Sequence, residues 1–322
     1  SGVGNAAWQP ASPAATEGKC QPGGSGCRGS SSVRMFTGAV TDVASNEDGA
    51  RNLLRGGRRL VSLQGLLLFP CRCLLVSVTQ KQQSGPLNSF SPPSLTPSPL
   101  YPPGTEFRAA QERDLKEALS GMDRSIPLVF VSGNHDLDQV PTPSTVEQYC
   151  RVWGDDYFSF WVGGVFCLVL NSQLYFNASA CPQQKEAQET WLEAQLSRAS
   201  SAEPKPKHIL VFQHIPLYVK SPDEQDEYIN LPQEVRQNLM ERFKRAGVTA
   251  IFSGHYHRNA GGCHDGLDMV VTSAIGCQLG DDTHGVRLVA VTADAVVHRY
   301  FSLEQLGQRG VDEELRKMLQ AC

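Results

Sequence analysis

Four apolar, strand-like runs in the last two thirds of this chain each break off into polar side chains able to bind metal. This repetition constrains the fold more than any other feature. Ile126–Val131 runs into Gly133-Asn134-His135-Asp136, and Val165–Leu170 into Asn171-Ser172. Ile209–Phe212 runs into Gln213-His214, and Val248–Phe252 into Gly254-His255-Tyr256-His257. In an open α/β sheet the ligand crevice lies outside the carboxyl ends of the strands. Polar groups placed there four times point to one shared site.

The intervening segments carry helical periodicity. The spacing predicts helices over Glu106–Met122, Ser144–Trp153 and Gln183–Ser200, and another enclosed between Pro232 and Gly247. Strand patterns follow at Met269–Ser273, Val286–Thr292 and Val296–Phe301, and a terminal helix at Asp312–Gln320. Strands alternating with helices, then a strand-rich tail, predict an α/β fold with a mixed sheet or two packed sheets.

Residues 1–105 differ in kind from the rest. They hold fourteen of the 29 glycines and eleven of the 20 prolines, with nine Lys and Arg against four Asp and Glu. Few carboxylates and few aromatics leave such a segment little burial to offset its ordering entropy, so it reads as a disordered leader. The folded domain is expected over 106–322. The one apolar patch in the leader, Leu60–Val78, contains Gln64, Pro70 and Arg72, which argues for a buried segment rather than a membrane span. The domain itself is acidic, which speaks against a nucleic-acid groove. Ten cysteines are scattered without zinc-finger spacing or disulfide-framework regularity, and no signal peptide is evident. A reducing, cytoplasmic setting with no membrane association is the expectation.

Among the motifs, Gly254-His255-Tyr256-His257 is the most specific. Two histidines at i and i+2 in a loop after a strand can diverge toward two metals about 3.5–4 Å apart, as in binuclear hydrolases. Gly133-Asn134-His135-Asp136 offers an amide oxygen beside an imidazole, although a plain polar turn would have the same composition. His214 taken alone reads equally as a satisfied core histidine. Order decides between these readings, because all three elements follow apolar strands. Asn171 and Ser172 either support the site from behind or simply terminate a strand. Asp281, Asp282 and His284 either line the site or are solvated. The acidic stretch Ser221–Glu227 is either a substrate-facing loop or a solvated charge run.

The Gly-Asn-His-Asp, lone His and Gly-His-x-His series resembles the calcineurin-like metallophosphoesterases, and the resemblance extends over about residues 111–318. It implies a four-layer α/β/β/α sandwich and two divalent cations of the iron, zinc or manganese type. It also implies a phosphoprotein substrate, with serine/threonine phosphatase activity. By the same resemblance Asn134, His214 and His255 are ligands of one metal and His257 of the other. His135 is the group that steadies the phosphoryl oxygens and protonates the leaving alkoxide. Asp136, Asn171, Asp282 and His284 are candidates for supporting or substrate-facing positions.

The chain departs from that family at its amino-terminal side. Members open with a strand ending in Asp-x-His or Asp-x-Gln and a second ending in Gly-Asp, which supply the carboxylates. Residues 1–105 contain no Gly-Asp pair and no histidine, and Asp42 is followed two positions on by Ala44. The amino-terminal strands are therefore expected to be missing or replaced, and activity to be impaired. Two further readings stay open: a non-catalytic binding or regulatory remnant, and a phosphodiesterase of the same superfamily.

Overall fold

Two mixed sheets packed face to face, each covered by helices on its outer side, form the core of this computed structural model. It describes residues 63–69, 73–78, 108–120, 127–275 and 278–321. The Gly- and Pro-rich stretches on either side of the Leu60–Val78 patch lie outside the described residues, as do Asp42, Glu106, Gly121, Met122, Ile126 and Cys277. In chain order the elements are β1 (Leu63–Phe69), β2 (Cys73–Val78), α1 (Arg108–Leu119), β3 (Leu128–Val131), α2 (Asn134–Leu137), α3 (Pro143–Trp153), β4 (Phe158–Val162) and β5 (Val165–Leu170). They continue as α4 (Gln173–Phe176), α5 (Pro182–Ser201), β6 (His208–Gln213), α6 (Gln233–Ala246), β7 (Val248–Ser253), β8 (Ala260–His264) and β9 (Leu267–Val271). The chain closes with β10 (Gly285–Val291), β11 (Val296–Ser302), α7 (Leu303–Arg309) and α8 (Glu313–Ala321).

The first sheet has the order β11-β10-β1-β2-β3 and the second β4-β5-β6-β7-β9-β8. In the second sheet β5, β6, β7 and β9 run parallel, so the carboxyl ends of β5, β6 and β7 share one rim. Alternate residues of each strand face opposite sides. Val129 and Val131 of β3, Cys167 and Val169 of β5, Leu210 and Phe212 of β6 and Val289 of β10 meet between the sheets. Phe166, Leu168 and Leu170 turn outward under Leu192 and Leu196 of α5, beside Leu239 and Phe243 of α6. Phe130, Val286 and Leu288 turn the other way, under Leu115 of α1, Trp153 of α3 and Leu315 of α8. The four layers are thus α/β/β/α.

The apolar patch of the amino-terminal third takes a specific place. β1 and β2 pair antiparallel with Leu63 opposite Val78 and Phe69 opposite Cys73. β1 also pairs parallel with β10, and β2 parallel with β3. The segment therefore fills the middle of the first sheet, joining β10 to β3. The register slips between Gln64 and Leu66; Gly65, which has no side chain to accommodate, stands at that irregularity. Several other elements were not legible in the periodicity: β4, β8, the one-turn helices α2 and α4, and α7. Each is short or half-exposed, so no apolar period builds up.

Beyond β6 the loop 214–232 carries the acidic stretch; Asp223, Asp226 and Glu227 are exposed to solvent, while the backbone beneath them is anchored. Arg236 of α6 is fully buried. Its Nε donates to Pro222 O at 2.8 Å and Nη1 to Leu231 O at 3.1 Å, while Nη2 donates to Glu224 O. α6 itself stops where Gly247 adopts the left-handed conformation, φ 81° and ψ 31°, and returns its N–H to Lys244 O and Phe243 O. Replacing Arg236 by Leu strands three carbonyls, one buried and two part-buried, without their donor, and an unpaired buried acceptor costs about 1–3 kcal/mol. Urea denaturation of Arg236→Leu should show a loss of about 3 kcal/mol or more; a loss below about 1 kcal/mol would contradict the anchoring role.

Candidate metal centre

His214 directly follows β6 and its side chain is completely buried. Its backbone carbonyl accepts from Gly254 N at 3.0 Å, which ties the ends of β6 and β7 together. Asn134 opens α2 at the end of β3, on the other sheet, and is also buried. The two sheets meet at this point: His214 Nε2 lies 2.7 Å from Asn134 Oδ1 and 3.0 Å from His255 Nδ1. The imidazoles of His214 and His255 sit edge to face with centroids 4.8 Å apart.

The hydrogen bonds dictate which atoms carry lone pairs. His255 Nε2 lies 2.8 Å from Tyr228 O, a carbonyl that can only accept, so Nε2 holds the proton and Nδ1 the lone pair. Asn134 Nδ2 donates to Tyr228 Oη at 2.9 Å, which turns Oδ1 toward His214. Two acceptors therefore converge on one His214 N–H. Burial pushes the His214 pKa well below its ordinary value, and His255, His135 and His257 add to the shift in that order. Burial also pushes His255 down to about 4, against an opposing bond to the Tyr228 carbonyl. Both rings are neutral near pH 7, the state in which imidazole ligates a metal.

The Gly-His-x-His loop is held in an uncommon conformation. His255 and His257 both have positive φ, 65° and 57°, where a side chain other than Gly costs about 1–2 kcal/mol. The compensation is local. His255 is bonded to Tyr228, and the His257 carbonyl accepts from Ser273 Oγ at 3.0 Å and Leu279 N at 2.9 Å. His257 is buried beside His255, close enough to depress its pKa.

These residues fit one divalent ion. Two ligand atoms each about 2.1 Å from a metal at a right angle stand about 3.0 Å apart, and His214 Nε2 is near that spacing from both the Asn134 oxygen and His255 Nδ1. Among the described residues, however, no three His, Cys, Asp or Glu side chains gather around one point. The third atom here is the oxygen of Asn134, and no described carboxylate joins it. β2 ends at Val78, with Ser77 level with Val131 of β3; the chain continues from there as Thr79-Gln80-Lys81, without an acid. His214 Nδ1 is also buried without a partner among the described residues. A metal on Nε2 would send the proton to that unpartnered atom, at about 1–3 kcal/mol.

The remaining sequence candidates are not among the converging atoms, although His135, adjacent to Asn134, is close enough to act on His214. His135 is half-buried on α2, and its carbonyl accepts from Arg108 Nη1 at 2.7 Å. Asp136 caps α2 by accepting from Gly133 N at 2.9 Å, and burial outweighs the neighbouring Arg108 in raising its pKa to about 7. Asn171 is spent on Asp156, at 2.8 Å, and on Gln173 N. Asp282 accepts from Asn259, and His284 Nδ1 lies 2.7 Å from Ile275 O. Ser172 Oγ accepts from Ile215 N at 2.9 Å, steadying the chain just past His214. Sequence reasoning missed Tyr228, which touches both Asn134 and His255. Its only signal was its position at the end of the acidic stretch that follows His214.

A sandwich of this kind, with amide oxygen and imidazole nitrogens meeting at its strand ends, is the architecture of a metal-dependent hydrolase. A family model described as "Calcineurin-like phosphoesterase" matches residues 102–259. The serine/threonine-protein phosphatase CPPED1 of Danio rerio is 65% identical over 217 residues, covering 67% of this chain and 70% of that protein. The Homo sapiens protein of the same name is 56% identical over 218 residues, covering 67% and 69%. The chain belongs to the calcineurin-like phosphoesterase family.

The loop that carries Tyr228 has its own acid-sensitive clasp. The Glu224 carboxylate accepts from Val219 N, Lys220 N, Ser221 N and Asn230 Nδ2 at 2.7–3.2 Å. Burial pushes its pKa up, but these four bonds outweigh it and leave the group below its ordinary value. Its contribution is therefore complete above the unfolded-state pKa and is lost as pH falls through the depressed folded-state value. Amide exchange at Val219–Ser221 should accelerate on acidification, and Glu224→Gln should remove that pH response while costing about 1 kcal/mol at this half-buried position. Exchange rates that ignore both changes would contradict the clasp.

Proposed function

We propose that this chain is a metal-dependent phosphoesterase acting on phosphomonoesters, with phosphoserine and phosphothreonine on proteins as substrates. Family membership and the names of the close relatives support the reaction class. The observation that carries it to this molecule is the convergence of Asn134 Oδ1, His214 Nε2 and His255 Nδ1 from two different sheets. These three atoms would hold one divalent cation, and His257 would belong to a second. When bound, such ions polarise the phosphoryl oxygens and lower the pKa of a coordinated water toward neutrality.

The chain's own residues supply placement. Burial keeps His214 and His255 neutral, and the two strand ends hold them against Asn134. His135, next to Asn134 and close enough to affect His214, would hold a proton for the departing alkoxide. No side chain need form a covalent bond to phosphorus, since positioning and charge carry most of this chemistry. Among the described residues Cys150, Cys167, Cys181 and Cys263 form no disulfide, which suits a cytoplasmic protein. Among the described residues no helix is long and apolar enough to cross a membrane. The acidic balance disfavours nucleic acid as a partner.

Metal occupancy and turnover are expected to be reduced. Close divalent cations need anionic charge between them, and the described ligand atoms are all neutral. A specific observation also favours a second reading, a binding or regulatory remnant of the same fold: the unpartnered His214 Nδ1 holds the proton on Nε2, where a metal would sit.

Elemental analysis after dialysis against zinc or manganese, with hydrolysis of p-nitrophenyl phosphate and its bis-ester, separates the readings. The phosphatase reading expects bound metal and monoester turnover, both abolished in His214→Ala. Binding of a phosphopeptide without metal or turnover would establish the remnant. Preferential diester cleavage would make the protein a phosphodiesterase.

A further inference from the structure

We propose that Tyr228 is the positioning residue of the metal centre, orienting two of its ligands from a single side chain and its own carbonyl. This inference rests on reading Asn134, His214 and His255 as metal ligands. Tyr228 is 94 residues from Asn134 in sequence and 27 from His255, and it bonds to both.

Each bond has a defined consequence. A primary amide can present either its oxygen or its nitrogen to a neighbour. Tyr228 Oη, 2.9 Å from Asn134 Nδ2, accepts the amide proton and so commits Asn134 Oδ1 to the His214 side. A neutral imidazole can protonate either nitrogen. The Tyr228 carbonyl, 2.8 Å from His255 Nε2, commits the proton there and leaves Nδ1 with its lone pair facing His214, as an acceptor or a metal ligand. Partners of this kind around a metal ligand fix its tautomer and orientation, and their loss typically costs about 10–100-fold in metal affinity.

The rest of the side chain keeps it in place. The Tyr228 ring packs on the His255 ring with centroids 4.7 Å apart, and edge-on against Phe176 at 6.5 Å. Gln139 Nε2 donates to the same Oη at 3.0 Å. With both phenolic lone pairs engaged by amide protons, the phenol cannot rotate its acceptor face away from Asn134 without breaking two bonds. The backbone at 228 is in turn fixed through the loop: Arg236 holds the carbonyls of Pro222, Glu224 and Leu231. Asn230 Oδ1 accepts from Glu227 N at 2.9 Å. The acidic loop thus reaches the metal centre through one tyrosine. About half of that residue is exposed, so its removal empties little of the core.

Cobalt(II) titration of the full chain, followed by the d–d absorption band, tests this. The wild-type chain is compared with Tyr228→Phe, which keeps the ring and the backbone carbonyl and loses only the hydroxyl. The expected result is a cobalt Kd raised at least about tenfold, with an altered band as the Asn134 oxygen leaves the coordination shell. The metal-free Tm should move by no more than about 2 °C, which is under 1 kcal/mol for a domain of this size. An unchanged Kd and band in Tyr228→Phe overturns the positioning role while leaving the ligand assignment standing. A drop in metal-free Tm with an unchanged Kd also overturns it, because the hydroxyl would then be merely structural. Failure of the wild-type chain to take up cobalt overturns the ligand reading itself, and this inference with it.

Discussion

Burial between the two sheets is the constraint on which everything else depends. Val129 and Val131 from one sheet meet Cys167, Val169, Leu210, Phe212 and Phe252 from the other in a dry layer. Each fully buried aliphatic or aromatic side chain contributes about 1.5–3 kcal/mol, and the alternation of the strands leaves only one register in which these residues all face inward. Once β3 is pressed against β6 and β7 in that register, the residues just past their ends have no choice of neighbour. Asn134 and His214 meet across 80 residues of sequence because Val131 and Phe212 are packed behind them.

The same burial sets the chemistry. Removing His214 and His255 from water makes them neutral, and neutral imidazole can accept either a proton or a cation. What biases the choice is the surrounding polar network. At the far side of the His257 loop, burial lowers the pKa of Arg287 to about 10. It is held by Thr272 Oγ1, His298 Nδ1 and Asn259 Oδ1, while Asp268 lies behind His298 at 2.9 Å. That network ties β10 and β11 of the first sheet to β9 and the Asn259 region of the second. The loop of positive-φ histidines is thereby braced at both ends, by Tyr228 on one side and by the Asn259–Arg287 cluster on the other.

Much of this was legible in the residues. Val165–Leu170 reads as a fully apolar run and is a strand buried on both faces. Pro232 and Gly247 enclose a helix over Gln233–Ala246, with Gly247 at the left-handed position that favours glycine. The Leu60–Val78 patch was harder, because Gln64, Pro70 and Arg72 interrupt its period; it divides into two strands at that interruption. Asn171 could be read either as a support of the site or as a strand terminator; its side chain is bonded to Asp156 and Gln173, and nothing local in the sequence announces those partners.

Local pattern therefore determined which residues stand at strand ends and which side chains there can bind a metal or a proton, since periodicity and ligand chemistry are properties of short segments. Tertiary structure alone decided which of those side chains share a point. Tyr228 enters the site, and Asn171, Asp282 and His284 turn to other partners, because hydrogen bonding among buried groups is settled by the packing of segments remote in sequence. A carboxylate beside the histidines is a matter of the same kind. The strands that occupy the middle of the first sheet bring it an apolar hairpin, and Val78 stands at the end of β2 beside β3.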